Sequence, residues 1–254
     1  MKKNNEGSIN LYWATPLSNE TLQDWSFLYP KPKTLFSELI ENRKNPKNKS
    51  SYLLCPAVAS RFKKTLVFKS PINASYVYGN RNNEYYIEAK TKEYIYAECK
   101  REESIKENPL FLFSLNYLLF ADESLKMSAS APFFHKPEYM KFGSVIPGTF
   151  DIGQWFRPYN FEVQMWEESG NFEIKDGEPL FYMEFPTDKK IILNRFFLTE
   201  ELKKICEANV LSMNLFGPFQ SLSEKYKKFK QVGYREKILT EIRKNLIDEE
   251  PYIF

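Results

Sequence analysis

Hydrophobic and polar residues alternate along much of this chain in short runs, and Gly, Pro, Asn or Asp residues separate one run from the next. Apolar side chains at every second position are typical of strands that bury one face, and turns at this spacing indicate an antiparallel meander. The region with the densest series of turns and strands is 143–185, so we expect it to lie at the centre of the fold. The clearest predicted strands are 65–69, 75–78, 85–89, 94–98, 161–165, 179–185 and 190–197.

Three segments give more specific strand predictions. Residues 9–15 end before Pro16, which favours an edge strand closed by a turn. The run 110–121, LFLFSLNYLLFA, is too short to span a bilayer and predicts a central strand or a strand pair. Asp176-Gly177 lies between two apolar runs, and this dipeptide predicts a hairpin.

Helical periodicity occurs at both ends of the chain. The segment 34–44 predicts a short amphipathic helix, and Thr199 is a candidate N-cap for a helix to about residue 209. The basic stretch 221–246 suits either one packed helix or a pair of shorter helices that are separated at Gly233.

A series of strands followed by helices predicts an α+β, β-dominated protein. We expect an antiparallel sandwich or jelly-roll-like core with a C-terminal helical extension. The predicted organisation is an N-terminal segment packed on the core (1–51), a β-rich core domain (52–198) and the helical extension (199–254). With 254 residues, the chain is long enough to bury a sizeable core.

Composition and charge limit the choice of function. The aromatic fraction of 17% suits strands and broad packing surfaces, although AT-rich coding explains part of this excess equally well. A formal net charge of +3 is too small to indicate a polyanionic partner for the whole molecule. Three widely spaced cysteines match neither a disulfide framework nor a zinc pattern, and no apolar segment follows the basic N-terminus. These features favour a reduced, cytoplasmic setting without membrane association.

The single histidine, His135, excludes His-rich zinc sites, facial-triad iron sites and His-based catalytic triads, and we expect it to be a loop residue. The sequence also contains no phosphate-binding glycine motif. We therefore expect neither a metal site nor a cofactor. Cys55, which precedes Pro56, is expected to be a buried structural thiol, because no partner histidine accompanies it in a motif.

An enzyme built from this sequence would depend on carboxylates. If the chain is an enzyme, the candidate catalytic residues are Asp151, Arg157, Glu162 and Glu178. Two carboxylates that meet in a cleft suit acid–base or glycosidase-type chemistry, and Arg157 would hold an anionic group. Charged residues near strand ends are more often solvated, so the sequence assigns none of these residues a catalytic role.

Binding through aromatic side chains is the competing hypothesis, and its candidate residues are Trp155, Arg157 and Trp166. Trp155 also suits core packing, whereas Trp166 falls opposite the predicted apolar face of its strand. Neighbouring glutamates dilute the basic C-terminal segment, which favours a solvated helix face over contact with nucleic acid. The lysines of this weak basic patch are Lys225, Lys227, Lys228 and Lys230.

Four short motifs between residues 52 and 185 together resemble an uncharacterised family of bacterial and phage proteins. These motifs are Cys55-Pro56-Ala57, Lys69-Ser70-Pro71, Trp155-Phe156-Arg157-Pro158 and the segment 172–180, FEIKDGEPL. The resemblance implies a β-rich fold and a phage gene, with the product in the host cytoplasm or the virion. It implies no catalytic residue.

The sequence therefore favours a non-enzymatic binding or structural protein that acts through contacts with a protein partner or through self-association. The alternative is a carboxylate-dependent enzyme that acts on a small or sugar substrate. A flat, exposed aromatic patch would favour the binding protein. A concave pocket in which Asp151, Arg157 and a glutamate converge would favour the enzyme.

Overall fold

The computed structural model describes residues 7–15, 28–42, 52–82, 84–90, 96–99, 108–216, 220–247 and 250–254. Strands dominate this part of the chain, and the helices lie mainly near the C-terminus, as predicted. The α-helices are α1 Leu35–Glu41, α2 Pro56–Lys63, α3 Glu200–Phe216, α4 Leu222–Val232 and α5 Tyr234–Lys244. The strands are β1 Ser8–Ala14, β2 Lys33–Thr34, β3 Thr65–Lys69, β4 Ala74–Arg81, β5 Glu84–Ala89, β6 Tyr96–Cys99, β7 Leu110–Ala121, β8 Lys126–Ser130, β9 Gly143–Val145, β10 Gly148–Asp151, β11 Pro158–Met165, β12 Gly170–Ile174, β13 Pro179–Glu184, β14 Lys190–Arg195 and β15 Tyr252–Ile253.

One layer of the core is a seven-stranded sheet in the order β15, β14, β1, β7, β11 and β9, and β6 also pairs with β7. The predicted central strand at 110–121 is β7. The prediction of an edge strand at residues 9–15 is wrong, because β1 lies between β14, to which it is parallel, and β7. Both faces of β1 are buried: Leu11 and Trp13 face the main core, while Tyr12 and Ala14 belong to a second cluster under the helices.

Two smaller sheets form the opposite layer. Their strand orders are β10, β8, β13, β3, β2 and β12, β4, β5. Aromatic rings join this layer to the large sheet: Phe68 lies 4.8 Å from Tyr117, and Tyr76 lies 5.5 Å from Phe113, between ring centroids. The predicted antiparallel, β-dominated core is therefore a sandwich, with the one parallel pair of β1 and β14 in the described sheets.

The predicted hairpin at Asp176-Gly177 is wrong. β12 pairs with β4, whereas β13 pairs with β3 and β8, so the turn connects two neighbouring sheets of one layer. Gly177 adopts a left-handed conformation with φ of 71°, as the turn residues predict, but its N–H donates to the Ser70 carbonyl. The segment between β3 and β4 also passes from one sheet to the other beside this turn. Its Ser70 forms the backbone hydrogen bonds with Gly177 and Glu178 that a paired strand would form in a hairpin.

Local capping determines where the helices begin. The Thr199 hydroxyl accepts a hydrogen bond from the Leu202 N–H, which confirms the predicted N-cap, and α3 then continues beyond the predicted end at residue 209. At Gly233, with φ of 70°, the basic stretch divides into α4 and α5, so the paired alternative is the correct one.

The C-terminal helices cover the outer face of the seven-stranded sheet. Their buried residues Leu202, Phe229 and Ile238 form one cluster with Tyr12 and Phe120 of the sheet. Burial on both faces explains why β1 and β7 are apolar almost throughout. The division of the chain at residues 51 and 198 stays a prediction. No helix in the described ranges is both long enough and apolar enough to cross a membrane.

Candidate functional site

A cleft of about 210 Å³ lies where α4 meets the turn after β10, and we call it the Trp155 cleft. Three cationic side chains line it, and none of its described lining residues is a carboxylate. Trp155 forms one wall, and the polar lining includes Gln154, Arg157, Gln220, Lys225, Lys228 and Gln231.

Asp151 organises the turn that forms one wall of this cleft. One carboxylate oxygen accepts hydrogen bonds from the N–H groups of Leu125 and Gly153, at 3.1 and 3.0 Å. The other accepts from the Ser124 hydroxyl and the Gln154 amide, both at 2.6 Å. Because both oxygens are engaged, this buried carboxylate holds the loop in place.

Gly153 allows this turn to lie against the loop after β7. A Cβ atom at Gly153 would lie 2.0 Å from the Glu123 carbonyl oxygen, so no other residue fits without movement of the backbone. Arg235 on α5 donates to the carbonyl oxygens of Gly153 and Asp122. The helices are thereby fastened to the turn that positions Trp155.

Trp155 and Arg157 form a stacked pair at the cleft. The guanidinium carbon of Arg157 lies 4.2 Å from the indole centroid, and Tyr226 meets the same indole edge-on at 5.9 Å. The Tyr226 hydroxyl accepts a hydrogen bond from the Asp151 N–H at 2.6 Å. Burial lowers the pKa of Arg157 to about 10, and the negative charge of Glu162 acts in the opposite direction. Because this pKa is still well above 7, the guanidinium stays protonated at neutral pH.

Cysteine chemistry has little support here. Burial raises the pKa of Cys206 to about 12, which keeps this thiol protonated near Arg157. The expectation of a buried Cys55 is wrong: its side chain is exposed at the turn before α2. Cys55 and Cys206 are both free thiols.

The structure does not bring the four candidate catalytic residues together in one place. Asp151 and Arg157 lie around the Trp155 cleft, and Glu162 acts on Arg157 through its charge. Glu178 instead lines a polar cleft on the opposite layer, where it accepts a hydrogen bond from the Lys175 N–H. The basic residues are separated too: Lys225 and Lys228 line the Trp155 cleft, and the exposed Lys227 and Lys230 are outside its lining.

A second surface, which we call the aromatic patch, consists of Tyr52, Phe133 and Phe134, and the exposed Leu54 follows Tyr52 by two residues in the sequence. The exposed fractions are 49% for Tyr52, 44% for Phe133 and 37% for Phe134. Tyr52 stacks on Phe134 with ring centroids 5.3 Å apart, and Phe133 lies 4.9 Å from Phe134. The buried Phe62 supports Phe134 from below at 5.1 Å.

His135 and Tyr182 form the base of the aromatic patch. The His135 Nδ1 atom lies 2.6 Å from the Tyr182 hydroxyl, and Phe133 meets the Tyr182 ring edge-on at 5.1 Å. His135 is half-buried, and burial lowers its pKa. The predicted loop histidine therefore supports the patch.

The segments that build the aromatic patch are basic. Residues 52–64 and 131–137 contain no Asp or Glu, but they contain Arg61, Lys63, Lys64 and Lys136. Arg61 pairs with Glu184 at 2.8 Å. The segments of the patch therefore contain cations and no carboxylate, although the Lys64 ammonium is engaged by the carbonyl oxygens of Lys189 and Phe254.

The sequence did not identify the aromatic patch as a binding surface. Adjacent aromatics between prolines, as in residues 132–137 (PFFHKP), are nevertheless a usable signal for an exposed loop. The predicted binding residue Trp166 is 54% exposed at the end of β11. In the described part of the chain, no group of three or more His, Cys, Asp or Glu is placed to hold a metal ion.

No family model, no curated protein and no solved structure matches this chain.

Proposed function

We propose that this chain is a non-enzymatic binding protein that acts through protein–protein contacts, with the aromatic patch as its contact surface. The observation that carries the proposal is the contact of the exposed Phe134 ring with the exposed rings of Tyr52 and Phe133, stacked in the first case and tilted in the second. Single exposed apolar residues are common on soluble proteins, whereas contiguous apolar patches mark interaction sites. Aromatic side chains also dominate the binding energy of protein interfaces.

The buried residues below the patch favour binding. Phe62 and Tyr182 hold Phe134 and Phe133 through ring contacts, so these rings are largely ordered before a partner arrives. A pre-ordered surface loses less side-chain entropy on association, and more of its contact energy becomes affinity.

The surrounding charge indicates the partner's chemistry. With Lys63 and Lys136 in its segments and no carboxylate in them, the patch suits an apolar segment flanked by acidic residues on another protein. Opposite charges would speed association and exclude basic partners. Two copies joined through the same patch would bring these cations together, which disfavours a symmetric dimer at this surface.

Selection of random twelve-residue peptides displayed on phage tests the proposal. Wild-type protein is the bait, a Phe133→Ser, Phe134→Ser double variant tests the patch, and Trp166→Ser controls for loss of an exposed aromatic elsewhere. We expect selected peptides to be acidic and apolar, to bind the Trp166 variant normally and to lose at least tenfold affinity for the double variant.

Peptides that bind wild type and the double variant equally would contradict the proposal. If only the Trp166 variant lost binding, the contact surface would be at Trp166 and not at the aromatic patch. Light scattering tests self-association. If wild type is a dimer and the double variant is a monomer, the partner at the patch is a second copy of this chain and not an acidic protein.

A further inference from the structure

We infer that the Trp155 cleft binds a small multivalent oxyanion, either an organic phosphate or a polycarboxylate. This site is separate in sequence from the aromatic patch, and its role is independent of the proposed protein contact. The inference rests on the charge, the size and the walls of the cleft.

Positive charge dominates the cleft. Arg157, Lys225 and Lys228 line it, and Arg157 is partly removed from water. Charge–charge attraction is stronger in such partly dry surroundings than in bulk water. Arginine offers a planar fork of donors for phosphate or carboxylate, and the amides of Gln220 and Gln231 supply further polar lining.

The carboxylates near the cleft lie outside its described lining. The two oxygens of Asp151 accept four hydrogen bonds from the turn. Glu224 on α4 closes the capping box with Ser221. Glu162 supports the charged form of Arg157, and Glu207 acts on Cys206. The cleft thus has three cationic groups and no carboxylate among its described lining residues.

The size and walls of the cleft favour a small ligand over nucleic acid. A volume of about 210 Å³ is below the roughly 300–1,000 Å³ common for drug-sized ligands. Arg157 lies against the indole of Trp155, and Phe150 lies 5.9 Å from the same ring. Trp155 therefore serves as a wall and is poorly placed to stack on a base.

Calorimetric titration with inorganic pyrophosphate and with citrate tests the inference, and acetate serves as the monovalent control. The test variant is Lys225→Gln, Lys228→Gln. Its matched control is Lys227→Gln, Lys230→Gln, which removes the same charge from the same helix outside the cleft lining. All four changes are on α4, and Phe229, the buried residue of that helix, is unchanged.

We expect at least one of the two probes to bind, acetate to bind far more weakly, and the test variant to lose at least tenfold affinity. The control variant should change less than twofold. The probe that binds identifies the ligand as phosphate or carboxylate. Absence of binding by both probes at about 10 mM would overturn the inference.

Two further outcomes would also overturn it. If both double variants lost affinity for the anion equally, the anion would be attracted by the overall positive charge of the helix and not bound in the cleft. A single-stranded oligonucleotide that binds more tightly than both probes, and loses affinity in the test variant, would make the cleft a nucleic-acid groove.

Discussion

The guanidinium of Arg157 packs on the indole of Trp155, with its central carbon 4.2 Å from the ring centroid. This contact places a cation beside an apolar surface at the point where the sandwich meets its C-terminal helices. The pair joins the two parts of the molecule and supplies charge to the cleft between them.

We expect Trp155→Ala to lower the free energy of unfolding by about 2–4 kcal/mol, because it removes a large half-buried ring from Arg157, Phe150 and Tyr226. Urea unfolding measures this change. Trp166→Ala is the matched control: its ring is 54% exposed, and we expect a loss below about 1 kcal/mol. Similar losses in the two variants would show that Trp155 does not hold the helices to the sandwich.

Gly153→Ala should be among the most damaging small substitutions in the described chain. The new methyl group would lie 2.0 Å from the backbone carbonyl oxygen of Glu123, and a backbone atom cannot move aside as a side chain can. We expect a loss of about 3 kcal/mol or more in thermal or urea unfolding.

Gly7→Ala is the control for that change, because a Cβ atom at Gly7 meets nothing within 4 Å. Its stability should stay within about 0.5 kcal/mol of wild type. Wild-type stability in Gly153→Ala would mean that the turn does not lie against the loop that contains Glu123.

Since His135 is the single histidine, one NMR resonance reports its pKa directly. Burial lowers that pKa below the ordinary value of 6.5; the charge of Lys69 acts in the same direction, and that of Glu38 opposes it. As pH falls below 6.5, the unfolded chain takes up the proton first, so this stabilising contribution is present above pH 6.5 and lost as pH falls through the folded pKa.

We therefore expect a titration midpoint below 6.5, and a stability difference between wild type and His135→Gln that shrinks as pH falls from 7 to 5. A midpoint at or above 6.5 would contradict the half-buried position of His135 against Tyr182.

Local sequence signals predicted the local structure well. Thr199 caps α3 and Gly233 separates α4 from α5, because capping and left-handed turns depend on residues that are close in sequence. The alternation of apolar residues likewise gave the β-dominated class, since burial of one strand face imposes it.

Pairing between distant segments was not predictable from these signals. β1 is a central strand because β14 and β7 enclose it from far along the chain. Asp176-Gly177 turns as expected, yet Ser70 supplies the partner for Gly177. Trp155 and Arg157 were identified as binding candidates, but Tyr226 and Lys228 reach them only through the packing of α4.

The most direct test of the proposed protein contact replaces Leu54, which is 62% exposed and two residues from Tyr52 of the aromatic patch, with each of two side chains of equal size. Leu54→Gln and Leu54→Glu both remove the apolar contact, but only Leu54→Glu adds a negative charge. The measurement is the affinity of each variant for a peptide selected on wild-type protein, at low and high salt.

We predict that Leu54→Glu binds at least fivefold more weakly than Leu54→Gln at low salt, and that the difference narrows at about 0.5 M salt because charge repulsion by an acidic partner is screened. Equal affinities for the two variants, or tighter binding by Leu54→Glu, would contradict an acidic partner at this patch.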